Sequence, residues 1–141
     1  MYNYRYPRPA VTVDALVFFR NNHTVYVLLI QRGNEPFKGK WALPGGFVNL
    51  DELLETACKR ELKEETGLFL EHLVQFKTFD AIDRDPRHRT LSVVFSAGLE
   101  EKKPVRGGDD ANRADWFSIH RLPDMAFDHR AIIEEFFHAD N

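Results

Sequence analysis

The chain has 141 residues, a 43% apolar and 29% charged composition and a formal charge of −3, which fits one soluble domain with a sizeable core. The charge argues against a general nucleic-acid binder, while leaving room for a local basic site on a weakly acidic protein. A lone cysteine, Cys58, allows no disulfide within the chain; the N-terminus lacks a signal-type apolar core and no apolar run reaches bilayer length, so a soluble cytoplasmic protein with no membrane partner is expected.

In chain order, Val11–Phe19 is rich in β-branched and aromatic residues and is predicted to be a strand. Asn21-Asn22-His23 is a turn signal, and Val25–Gln31 is predicted to pair back as a hairpin. Arg32–Lys40, with Gly33, Pro36 and Gly39, is a loop; Trp41-Ala42-Leu43 is a short extended piece stopped by Pro44-Gly45-Gly46. A helix should follow, started by an Asn49/Glu52 capping box and ended by Gly67. Leu68–Asp80 and Thr90–Leu99 are predicted strands flanking a charged loop, Ile82–Arg89. Lys102–Arg113 is a loop, Trp116–Ile119 a short strand, and Asp128 is the expected cap of a last helix reaching about His138, with Ile132, Ile133, Phe136 and Phe137 as its apolar stripe.

The helix before Gly67 carries the chemistry. At about 100° per residue, Leu50, Leu53, Leu54, Ala57, Cys58 and Leu62 share one side. Glu61, Glu64 and Glu65, at i, i+3 and i+4, fall within that same angular range. Acids there oppose the helix macrodipole and occupy an inward face where unpaired charge is costly. Such conflicts with stability concentrate at functional sites, and clustered carboxylates suit a hard divalent cation such as Mg²⁺.

Taken with the turn before it, the segment reads Gly46, five residues, Glu52, seven residues, Arg60-Glu61-Leu62, one residue, Glu64-Glu65, one residue, Gly67-Leu68. This resembles the Nudix box of the Nudix hydrolase family at every fixed position. The resemblance extends over essentially the whole chain, so residues 1–141 are expected to form a single domain. It implies an α/β (α+β) fold, an α/β/α sandwich around a mixed β-sheet. It also implies hydrolysis of a nucleoside diphosphate derivative with Mg²⁺ or Mn²⁺. By that resemblance Glu61, Glu64, Glu65 and the Gly45 carbonyl would hold the metal, Glu61 or Glu64 would double as the base, and Glu52 and Arg60 would form a structural ion pair.

The substrate should be chosen outside the box. Arginine recognises phosphate through a planar fork of donors. Arg84 and Arg87 in the loop Asp83–Arg89, and Arg32 at a strand end, are candidates to bind it. Phe37, Phe18 and Trp41 are candidates to stack on a base, with core packing the expected role of Phe18. Asp109 or Asp110 is a candidate for a further acid, while His88 and His129 are not expected to be catalytic. The segment Arg84–Phe95, together with Phe127-Asp128-His129-Arg130, is similar to the ADP-ribose pyrophosphatase subgroup and to related regulators with an added DNA-binding domain; with the sequence ending at Asn141, an enzyme rather than such a regulator is expected. The expected reaction is ADP-ribose to AMP and ribose 5-phosphate. A pyrophosphohydrolase of damaged nucleoside triphosphates and a non-catalytic ADP-ribose sensor are the alternatives. A homodimer is expected from the subgroup.

Overall fold

The computed structural model describes residues 3–108 and 111–138. Nine elements follow one another: β1 (Ala10–Asn21), β2 (Thr24–Arg32), β3 (Trp41–Ala42), β4 (Gly45–Phe47), α1 (Leu54–Thr66), β5 (Val74–Phe79), β6 (Thr90–Leu99), β7 (Ala111–Ser118) and α2 (His129–His138). Strand β1 organises them, because its two faces are both apolar. Val13, Ala15, Val17 and Phe19 pack with Ala57, Cys58 and Leu62 of α1. Leu16 and, at the edge, Phe18 pack with Ile132 and Ile133 of α2. Successive strand residues point to opposite faces, so the two helices cover opposite sides of the sheet. This is the expected α/β/α sandwich, and the sheet is mixed: β1 runs parallel to β6 and antiparallel to β2 and β4.

The feature that builds the site is a divergence between β1 and β2. They pair only near their turn, from Phe18 opposite Val27 to Asn21 opposite Thr24. Beyond that they splay, and Trp41–Phe47 enters the gap. β3 pairs with β2 at Ile30 and Gln31, β4 pairs with β1 at Thr12–Asp14, and the Ala15 N–H donates to the Pro44 carbonyl at 2.7 Å. The glycines expected only to stop a strand therefore form one, which lies against α1.

Three other expectations are corrected. The helix starts at Leu54 rather than just after Asn49, and its N-cap, Leu53, makes no side-chain cap. Asn49 and Glu52 do bond reciprocally, N–H to Glu52 Oε1 and Glu52 N–H to Asn49 carbonyl, both at 3.1 Å, but this closes a turn ahead of the helix. Leu50 and Leu53 consequently leave the buried stripe and are 80% and 78% exposed. The strand predicted from Leu68 begins only at Val74, because Leu68, Leu70 and Leu73 are drawn down into the α1 core instead. The strand predicted at Trp116–Ile119 runs earlier and longer, Ala111–Ser118, since β2 offers it an edge from Tyr26 to Arg32. Gly67 ends α1 as expected, in the left-handed region (φ 78°) with its N–H on the Lys63 carbonyl at 2.8 Å. Among the described residues no helix is long and apolar enough to cross a membrane.

Candidate functional site

A cleft of about 360 Å³ opens where α1, the glycine strand, the Ala81–Arg89 loop and the start of α2 meet. One wall is acidic. Glu61 and Glu65 come from α1, and Asp14 from β1 lies beneath Gly45. The lining also includes Arg32, Arg84 and Arg87 with the ring of Phe127.

The three box glutamates occupy three different environments. Glu65 is buried and accepts the Gly45 N–H at 2.7 Å; burial pushes its pKa up to about 8. Glu61 is half-buried, and burial raises its pKa against the opposing Arg60 hydrogen bond. Glu64 is exposed, which departs from the expected inward placement, because Leu62, Glu65 and Thr66 take the buried side of this last turn. Arg60 ties the group together. Its Nε and Nη2 donate to Glu52 at 2.6 and 2.9 Å, its Nη1 to Glu61 at 2.8 Å and to Glu64 at 3.3 Å, and its Nη2 to the Phe47 carbonyl at 3.2 Å. The bidentate contact to Glu52 holds that carboxyl below its usual range. One guanidinium thus fastens the turn before α1 and the end of β4 to the acidic face.

Among the described residues no three metal-ligating side chains already converge on one point: Glu61 and Glu64 turn to Arg60, and Glu65 turns to Gly45. The donors nonetheless fit a hard divalent cation, being oxygens throughout. Gly46 preserves the space that such a site needs, since a Cβ there would lie 2.6 Å from the Glu61 carboxyl group.

The arginines expected to meet substrate are held in place by carboxylates. Arg84 is buried and makes a fork with Asp128, Nε to Oδ2 at 2.9 Å and Nη2 to Oδ1 at 2.7 Å. Asp128 is therefore a loop-to-helix clamp as well as the residue that precedes α2. Arg87 donates Nε and Nη2 to Asp85 at 3.1 and 2.8 Å, and its own backbone N–H to the same carboxylate at 2.9 Å. Burial would raise the pKa of Asp85, but these Arg87 contacts outweigh it and hold the carboxyl below its usual range. Arg32 donates Nε to the Pro36 carbonyl at 2.7 Å. Phe37 is absent from the cleft wall and packs edge-on against Phe127, with centroids 4.9 Å apart; Trp41 and Phe18 pack in the core beneath α2. Asp109 and Asp110 lie outside the described residues.

Several cleft residues were given no place in the site by the sequence reading. His129 is buried, accepts the Leu43 N–H on Nδ1 at 2.9 Å and directs Nε2 toward Asp14 at 3.7 Å. Asp14 in turn accepts a short hydrogen bond from Ser92. This chain of contacts joins β6, β1, α2 and the segment leading to Gly45. Its one sequence signal was Asp14 itself, a charge inside an otherwise apolar strand. Phe127 gave no signal of a ring set in the cleft wall.

The NUDIX domain model matches residues 8–136. The chain is 43% identical over 131 residues to an ADP-ribose pyrophosphatase of Methanocaldococcus jannaschii, covering 93% of this chain and 75% of that one. It superposes with TM-score 0.87 on the NUDIX domain of Shewanella oneidensis NrtR complexed with ADP ribose, at 30% identity and with 96% and 91% of the two chains covered. The same TM-score, 0.87, relates it to a bifunctional NMN adenylyltransferase/ADP ribose pyrophosphatase of Francisella tularensis complexed with AMP and a Mn ion, at 33% identity; this match covers 98% of the chain but only 44% of the larger protein.

Proposed function

The chain belongs to the NUDIX family, and on that premise we propose that it hydrolyses the diphosphate linkage of ADP-ribose, giving AMP and ribose 5-phosphate, with Mg²⁺ or Mn²⁺ held by Glu61, Glu64, Glu65 and the Gly45 carbonyl. The observation that carries the reading is the composition of the cleft, which brings the box carboxylates Glu61 and Glu65 together with three arginines, Arg32, Arg84 and Arg87. A diphosphate bridging a cation and an arginine cluster satisfies both sets of groups at once. The M. jannaschii relative and the two complexes above support ADP-ribose as the derivative.

A divalent ion there supplies charge neutralisation and activation of water. The protein's own groups do the rest. Glu61 or Glu64 takes the proton of the attacking water. Arg32, Arg84 and Arg87 meet the phosphate oxygens, and Phe37 supports the aromatic side of the cleft. Glu52 and Arg60 hold the acidic face against β4. Positioning and electrostatics carry most of a phosphoryl-type displacement, so a prearranged cleft is what the reaction requires.

The NrtR complex favours one alternative, a domain that binds ADP-ribose without turning it over. The complete glutamate set argues for turnover. Incubation with Mg²⁺ and ADP-ribose, other nucleoside diphosphate sugars or nucleoside triphosphates, followed by anion-exchange chromatography, separates the readings. AMP from ADP-ribose supports the proposal. Pyrophosphate from triphosphates replaces it with a triphosphate pyrophosphohydrolase, and binding without products replaces it with a sensor.

A further inference from the structure

Phe127 has a left-handed backbone (φ 53°), a conformation costly for a residue with a Cβ. Its neighbours impose it. The Ala126 N–H is fixed to the Trp41 carbonyl at 2.8 Å, the His129 N–H bonds the Ala126 carbonyl at 3.3 Å, and Ala126 has no exposed surface. The result is to set the Phe127 ring in the cleft wall between two cations. The Arg32 guanidinium carbon lies 5.0 Å from the ring centroid and that of Arg87 lies 5.9 Å from it. Arg87 is also 5.6 Å from the Phe47 ring. Phe37 and His129 also pack against the Phe127 ring, with centroids at 4.9 and 5.4 Å.

Two like charges around one ring repel each other, and the negative faces of the ring are what make the arrangement tolerable. Each arginine is also anchored at an edge, Arg32 by the Pro36 carbonyl and Arg87 by Asp85. Asp85 takes Nε and Nη2 of Arg87, which leaves the Nη1 edge for a ligand. From this we infer that Phe127 is a positioning residue that holds Arg32 and Arg87 as a two-arginine subsite for a phosphate group of the substrate. Phe127 acts through the two guanidiniums, by fixing their planes, and selects for an anion at this end of the cleft.

The inference deepens the proposed activity and rests on it for the identity of the ligand. AMP and ribose 5-phosphate each carry one phosphate and no diphosphate, so both can be titrated by calorimetry with Mg²⁺ present and without turnover. Phe127→Leu removes the ring and keeps the Cβ in the same left-handed backbone; Phe127→Tyr restores the ring. Affinity for at least one of the two phosphates is expected to fall about tenfold in the leucine variant, as loss of two cation–π contacts implies. It should return to within about threefold of the parent in the tyrosine variant. Equal losses in both variants, no loss in either, or a parent protein that binds neither phosphate would overturn the subsite. Failure to hydrolyse ADP-ribose alongside the expected binding pattern would overturn the proposed reaction and leave the subsite standing.

Discussion

Gly46→Ala is expected to silence turnover while leaving the fold in place. The new Cβ would sit 2.6 Å from both the carboxyl carbon and Oε1 of Glu61, and 2.8 Å from Oε2. Ordinary carbon contacts are about 3.5–4.0 Å, so roughly 1 Å of overlap must be relieved. The carboxyl group is the free end of a flexible side chain and yields first, whereas β4 is pinned to β1 from Thr12 to Asp14. Moving Glu61 gives up its 2.8 Å bond to Arg60. A hydrogen bond to a charged group is worth about 1.5–3 kcal/mol, and we take the lower end because Arg60 keeps its Glu52 partner. For a domain of this size that corresponds to a melting shift of roughly 3–8 °C. Displacing one of the proposed ligands should lower turnover at least about a hundredfold, or about 2.7 kcal/mol of barrier. Gly45→Ala is the contrast, because its Cβ would collide with the Val13 backbone carbonyl, which cannot rotate aside. AMP release from ADP-ribose and circular-dichroism melts measure both variants. Turnover of Gly46→Ala within about threefold of the parent would refute the placement of Glu61, as would a melting loss as large as that of Gly45→Ala.

Other expectations follow from the remaining contacts. Glu64→Gln should cut turnover about a hundredfold, with a melting temperature within about 2 °C of the parent because the side chain is exposed; an unchanged rate removes Glu64 from the site. Arg84→Ala should destabilise by about 1.5–3 kcal/mol in urea titrations, because it removes a side chain only 4% exposed and leaves Asp128, 25% exposed, without its fork. A loss under about 1 kcal/mol would show that the clamp is not structural. Burial lowers the pKa of His129 below its usual value of 6.5, against the pull of Asp14. The unfolded chain then binds the extra proton first, so this contribution is complete above pH 6.5 and is lost as pH falls below it through the folded-state value. The melting temperature should therefore drop more steeply from pH 7 to pH 5 in the parent than in His129→Gln; parallel curves would contradict a buried neutral imidazole.

The sheet, both helices and the acidic face were legible because each is written in local periodicity. β1 announces two buried faces by an apolar residue at nearly every position, and α1 ends at a glycine whose αL geometry is local chemistry. What was hidden is which partner each side chain takes once the loops fold back on the sheet. The Glu52–Arg60 pair was expected from the box, but the reach of the same guanidinium to the Phe47 carbonyl was not. Arg84 and Arg87 were legible as candidate phosphate ligands, but not the Asp128 and Asp85 forks that fix their planes. Leu50 and Leu53 follow the helical stripe on paper but precede the first helical turn. Phe127 was visible only as part of a subgroup-like segment; its place in the cleft wall comes from a backbone conformation set by the packing of Ala126.

The splaying of β1 from β2 also divides this chain into parts that tolerate change very differently. The excursion over residues 33–39 is shut at its base, with the Arg32 N–H on the Lys40 carbonyl and the Gly39 N–H on the Arg32 carbonyl, both at 2.8 Å. Gly33, Asn34 and Glu35 within it border the cleft. Lengthening that excursion leaves the wedge behind it unshifted, so it is a natural graft point for altering ligand preference. One residue added between Ala42 and Gly45 has the opposite effect. Strand pairing repeats every two residues, so the wedge would present the wrong face to α1. New selectivity can therefore be acquired by loop growth on one side of Lys40, while the length of chain on the other side is held fixed by arithmetic.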